Sequence, residues 1–176
     1  MWPRVLRFVV ALAVAAVVWY NLTTVYDGAL AAVATPLLRI DPRFRDARLT
    51  AHDRVINVAA RERHSDFPPA DIPADQLTYN VILLAALFAS NRRPFRDRNV
   101  VAFLKSLALL IVLHVAGVLL SVESTYAVRM GAWSGAHYGT GGYYLWLYAE
   151  IFYRLVGMFG VVFVCWWASS ATINRS

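Results

Sequence analysis

Residues 100–122 read VVAFLKSLALLIVLHVAGVLLSV, and only Lys105 and His114 in that stretch are ionisable. A helix needs roughly 20 consecutive apolar residues to cross a bilayer, so this segment is long enough. Two other stretches are similar. Residues 5–26 (VLRFVVALAVAAVVWYNLTTVY) carry Arg7 alone, and residues 147–168 carry Glu150 and Arg154. A fourth run, 77–90, is shorter and reaches spanning length only if the helix starts near residue 73. Pro73 would then occupy its first turn, where a missing N–H costs nothing. The sequence therefore predicts an all-α membrane protein, a single membrane domain over residues 1–176. Its four transmembrane helices fall at about 5–26, 73–91, 100–122 and 147–168.

Composition agrees. Hydrophobic residues make up 59% of the 176 and charged residues 16%, whereas soluble domains run nearer half and a quarter. Disorder is excluded by the same figures. The net charge of +6 is not pooled on one polar domain, which argues against a nucleic-acid partner. Lys105 is the only Lys among 17 basic residues, and this Arg-, Ala- and Val-rich usage suggests a high-GC bacterial source. Cys165 is the sole cysteine, so no disulfide can form within the chain and a thiolate metal site is not expected. No metal or cofactor is predicted. Residues 1–26 resemble a signal peptide in their basic start. Their apolar core exceeds the usual ~7–15 residues, however, and ends in Trp19-Tyr20, so a retained helix is expected.

Arginine placement sets the orientation. The loop 91–99 carries Arg92, Arg93, Arg96 and Arg98 against Asp97. Arg4, Arg7 and Arg175 fall on the same side, and Lys105 can snorkel to it. Both termini are predicted to face the cytoplasm of a bacterial inner membrane, with segments 28–72 and 123–146 outside. Seven Arg between residues 28 and 76 oppose the rule, although seven acids balance them.

In the first outer segment, 28–40 either continues the first helix or lies along the membrane. Leu49-Thr50-Ala51 and Val55-Ile56-Asn57-Val58 flank His52-Asp53-Arg54. Two β-branched runs around a polar tip predict a β-hairpin, with an irregular loop as the alternative. Phe67-Pro68-Pro69 through Pro73 reads as a stiff linker. In the second outer segment, Gly131, Gly135, Gly139, Gly141 and Gly142 disfavour a regular helix. A connector is expected there, or a loop closing over a membrane-surface site.

Ionisable groups inside a bilayer need a reason. Glu150 and Arg154 are spaced i, i+4, acid first, the favourable order on a helix. They form either a self-neutralising pair or a cationic site for a carboxylate or phosphate. His114 reads as a neutral imidazole bonded to a neighbouring helix. Asn80 and Asn21 are expected to hydrogen-bond across helices. Gly117, Gly157 and Gly160 would permit close helix approach. His137 precedes the last helix among aromatics.

An outward extension, a hairpin, a helix opening at Leu77-Thr78-Tyr79-Asn80 and a basic turn Asn91-Arg92-Arg93-Pro94-Phe95-Arg96 together resemble the exosortase/archaeosortase family. These are membrane transpeptidases that process proteins with C-terminal sorting tails. The resemblance covers about residues 45–165, in layout more than motif. It implies a nucleophilic Cys near Tyr79-Asn80, an Arg on a later helix and a His before the last one. No Cys stands at that position, residues 100–122 lack the family's Asn-x-x-Arg pattern, and only His137 has a matching place. Thiolate attack needs a thiol. The resemblance therefore implies a non-catalytic accessory protein. Its partners would be membrane lipid and another membrane protein, either the sortase-like enzyme or the tail of its substrate. Two other classes stay open: an intramembrane enzyme using Glu150, Arg154 and His137, and a structural envelope-assembly protein. A transporter is disfavoured by the few helices and lack of repeats.

Overall fold

A computed structural model describes residues 2–60, 68–91 and 94–173. Arg92, Arg93 and Arg175, which enter the orientation argument, lie outside the described residues, as does Phe67 at the start of the expected linker. Helix α1 (Trp2–Leu38) is followed by a 3₁₀ turn (Pro42–Phe44) and strands β1 (Ala47–His52), β2 (Val55–Ala60) and β3 (Ala70–Pro73). Then come α2 (Asp75–Thr78), α3 (Asn80–Ala89), α4 (Asp97–Val128) and α5 (Ala132–Phe152). A π-turn (Tyr153–Gly157) leads into α6 (Met158–Ile173).

Among the described residues, three helical stretches are long and apolar enough to cross a membrane: Arg4–Leu38, Asp97–Val128 and Ala132–Ser169. The fourth apolar stretch, Asp75–Ala89, is shorter and is interrupted at Tyr79. Pro73 does not open it. That residue ends β3, and the helix begins at Asp75.

Two expectations about the loops are corrected. The Pro-flanked segment before α2 is not a bare linker: residues 70–73 pair with β2 and make the hairpin a three-stranded antiparallel sheet, in the order β1-β2-β3. Residues that precede proline already favour extended backbone, and Ala70 and Ile72 alternate into the core. Nor is 123–146 an irregular outer segment. Helix α4 continues to Val128 and α5 covers Gly135, Gly139, Gly141 and Gly142, with Gly131 (φ 57°) just before it and non-helical backbone inside only at Gly139 (φ 59°, ψ −177°). Each helical Gly costs ~1 kcal/mol relative to Ala, but Trp133 and Tyr138 pack against a buried cluster, and tertiary packing outweighs propensity. The corner between α4 and α5 is closed by Ser134, whose Oγ donates to Tyr126 O (2.6 Å) and accepts from Met130 N (2.9 Å). The open question at 28–40 is resolved as helix to Leu38.

Contacts divide the chain into two compact units. One comprises residues 1–22, 78–113 and 156–176, and the other residues 23–77 and 114–155. In the first, Leu84, Leu87, Phe88, Leu110 and Val162 form a buried cluster, with Phe8, Phe103, Cys165 and Trp166 against it. Asn80 Nδ2 donates to Met158 O at 3.0 Å, tying the start of α3 to the start of α6. Asn21 does not bond across helices as expected but donates to Val17 O one turn back on α1 (2.7 Å).

The second unit holds the sheet. Leu49, Val58 and Ala70 lie in register, as do Ala51, Ile56 and Ile72. This face packs with Leu30, Ala34 and Leu38 of α1 and Val118, Val122 and Tyr126 of α4. The hairpin tip uses Asp53 (φ 48°) and Arg54 (φ 66°). Two positive-φ residues between paired strands form the turn whose twist suits a two-residue hairpin.

Gly117 on α4 lies under the Tyr153 ring, and a Cβ there would fall 2.7 Å from Cε1. Gly117→Ala is therefore expected to lower stability by ~1–3 kcal/mol. The added Tyr153→Leu change should restore part of the loss, as measured by thermal unfolding in detergent.

Candidate functional site

Within the sheet-bearing unit, a cavity of about 410 Å³ is lined by Asp71, Ile72 and Pro73 of β3, Gln76 of α2, Ser121 and Thr125 of α4, Arg129, and Leu147, Glu150 and Ile151 of α5 with Arg154. Glu150 and Arg154 meet as their spacing suggested. Arg154 Nη2 is 2.8 Å from Glu150 Oε1 and Nε donates to the same oxygen at 2.9 Å. Arg154 Nη1 also donates to Gln76 Oε1 (2.9 Å), and Ser121 Oγ donates to Glu150 Oε1 (3.2 Å). The ion pair thus draws on groups from α2 and α4 and belongs to a larger polar cluster. Arg129 is exposed at the cavity and has no side-chain partner among the described residues.

The other expected site residues lie elsewhere. His137 does not line this cavity. Its ring stacks on Trp133 (centroids 4.1 Å apart) and Nδ1 lies 2.8 Å from Trp133 O, one turn back. His114 is fully buried on α4, with Nδ1 2.6 Å from Tyr26 Oη on α1. This is a bond to a neighbouring helix, as the sequence predicts for His114. Asn80 belongs to the other unit and bonds Met158 there.

A second polar cluster was not anticipated from sequence. Arg43, in the 3₁₀ turn, grips Asp41 through two parallel bonds, with Nε to Oδ1 at 3.0 Å. The same guanidinium reaches both oxygens of Glu123 on α4 (3.3 and 3.2 Å). Tyr138 of α5 donates to Glu123 Oε2 at 2.6 Å, and its ring lies 4.2 Å from the Arg43 guanidinium carbon. The Glu123 side chain is only 10% exposed. Every formal charge here has a bonded partner, as buried charges require. The Arg43 bonds hold the Asp41 carboxyl below the usual carboxylate range.

Gln76, Ser121, Thr125 and Arg129 were missed, and so were Arg43 and Glu123. For the α4 set a signal existed: Ser121, Thr125 and Arg129 recur every fourth residue, the repeat of one helix face. It was hidden by ending the helix at residue 122. Asp27 was also passed over. It is fully buried on α1, and neither carboxylate oxygen has a hydrogen-bond partner among the described residues.

Among the described residues, no group of three His, Cys, Asp or Glu could hold a metal ion. Comparisons with protein-family models, curated proteins and solved structures give no match.

Arg43→Ala strands Glu123 beside an apolar core and is expected to cost ~2–3 kcal/mol, against ~1 kcal/mol for Tyr138→Phe. Thermal unfolding checks the order. Asp41 adds a pH dependence. Its folded pKa is depressed, so its contribution is present above ~4 and lost as the pH falls through the folded value. The stability gap between wild type and Asp41→Asn should therefore close on acidification.

Proposed function

We propose that this chain is an integral protein of a bacterial inner membrane and a non-catalytic accessory to an exosortase-type sorting enzyme. It binds that enzyme or the tail of its substrate. The observation that carries the membrane part is the bare apolar surface of α1. Val5, Leu6, Val9, Val10, Val14, Val17 and Val18 are each at least 50% exposed. Contiguous exposed apolar surface on this scale marks contact with lipid or a partner. Helices α4, α5 and α6 add Leu104, Val112, Leu145, Phe152 and Val164 to the exposed set. In this reading both termini are cytoplasmic, and the sheet and its cavity face outward.

The accessory part is supported by the placement of the polar groups. The chain's single thiol, Cys165, packs against the buried apolar cluster of the unit without the sheet. The polar cavity lies in the other unit and combines hydroxyls, an amide and a paired acid and base. Such groups recognise polar backbone and carboxylates. The enzyme alternative draws on Glu150, Arg154 and His137, and it gains nothing from a His137 stacked on Trp133 away from the cavity lining.

A mild-detergent pull-down of the tagged protein from its native membranes tests this. Recovery of a sortase-like membrane enzyme, or of proteins with C-terminal sorting tails, is expected. Arg154→Ala should weaken that recovery, and Cys165→Ser should leave it unchanged. Recovery of the protein alone, or with unrelated envelope machinery, would overturn the reading.

A further inference from the structure

In an antiparallel pair, successive residues of a strand turn their N–H and C=O alternately toward the partner strand and away from it. Val55 pairs with Pro73 and Ile56 with Ile72, and Ala74 N donates to Arg54 O at 3.0 Å. The bonded pairs between β2 and β3 are therefore 54 with 74, 56 with 72 and 58 with 70. Asp71 N–H, Asp71 C=O and Pro73 C=O accordingly point away from β2, along the outer edge of β3.

The two edges of the sheet are treated differently. On β1 two of the outward groups are met by α1 and the residue just after it: Leu49 N donates to Thr35 Oγ1 (3.3 Å), and Arg39 Nε donates to Ala47 O (2.8 Å). On β3 the outward groups of Asp71 and Pro73 have no partner among the described residues, and both residues line the 410 Å³ cavity. An open strand edge is a template for another strand. It stands here beside Arg129, a cation without a counter-ion among the described residues, whereas Arg154 is already matched by Glu150. Asp71 Oδ1 accepts from Asn57 Nδ2 at 2.8 Å, which turns that carboxylate toward β2.

We propose that the cavity takes an extended polypeptide segment of a partner protein. The segment adds as a fourth strand to the edge of β3 and places an acidic side chain on Arg129. Main-chain bonds supply the affinity of such strand addition, and the side chains on one face of the added strand supply its specificity. The inference rests on the accessory reading and names its binding mode.

The test uses the full-length protein in phosphatidylcholine nanodiscs. The probe is a fluorescent, acetylated peptide of alternating threonine and valine with one central glutamate, followed by anisotropy. Saturable binding is expected. It should weaken about tenfold when the glutamate is replaced by lysine, and be lost when alternate backbone nitrogens are methylated. Arg129→Glu should reverse the preference toward the lysine peptide. Asp71→Pro, which removes the outward N–H, should weaken both peptides alike. Absence of saturable binding, equal binding of the two peptides, or unimpaired binding of the methylated one would each overturn the proposal. Arg129-dependent retention of phosphatidylglycerol with no peptide bound would overturn it in favour of a lipid headgroup. Failure here is distinguishable from failure of the accessory reading. If Arg129→Glu protein recovers a sortase-like enzyme or tailed proteins as well as wild type does, only the edge site is lost. If peptides bind but native membranes yield no such partner, only the accessory reading is lost.

Discussion

Glu123 sits near the end of a long apolar helix, with its side chain almost wholly removed from solvent. An isolated carboxylate there would be prohibitive, and the surrounding elements are arranged so that it is not isolated. Arg43 must come to it, which fixes the 3₁₀ turn after α1. Tyr138 must come to it, which fixes the first half of α5 despite its glycines. Asp41 holds the guanidinium flat by its two-pronged grip and also caps the turn through Arg43 N (2.9 Å). Between these anchors Phe44 is drawn into the core, with its ring 5.2 Å from that of Tyr126. One buried charge thus sets the relation among α1, the turn, α4 and α5 within this unit, and the sheet packs on the frame they make.

The sheet needs a partner for its inner face and for each of its edges. Apolar contact closes the inner face, and Thr35 and Arg39 each bond one outward group of the first edge. These residues lie in and just after a part of α1 that would be unnecessary if the helix served only as a span. The extension of α1 past Tyr26 is therefore explained by the strand it covers. Pro73 has a matching role on the other edge, where it removes one donor from an otherwise open row. A short strand with one proline is a poor site for unspecific pairing, yet it keeps the groups of Asp71 available.

The long apolar runs were legible in sequence because composition alone decides them, and the hairpin was legible from its β-branched flanks around His52-Asp53-Arg54. The boundaries were not. Ending α4 at residue 122 matches its apolar run, but the helix continues because Glu123 and Ser124 are buried in tertiary contacts that hydropathy does not register. The glycines of α5 misled for the same reason: propensity is local, whereas Trp133 and Tyr138 answer to residues far away in the chain. Glu150 and Arg154 could be paired from spacing, since both lie on one helix. Gln76 and Arg43 could not, because each reaches its partner over a separation in the chain of about eighty residues.

The distribution of polar and apolar groups bears on the solvent around the fold. In water, the bare valines of α1 would be driven inward, yet here they are exposed while His114, Asn80 and Ser121 are buried with hydrogen-bond partners. Between helices the chain places a Tyr26–His114 bond, an Asn80–Met158 bond, a Ser121–Glu150 bond and the close seat of Tyr153 over Gly117. Hydrocarbon offers helices no hydrophobic reason to associate, so packing there falls to small residues and interhelical hydrogen bonds. The interior of this protein uses both devices beside its buried apolar clusters. Lipid or a partner covering the valines would account for their exposure.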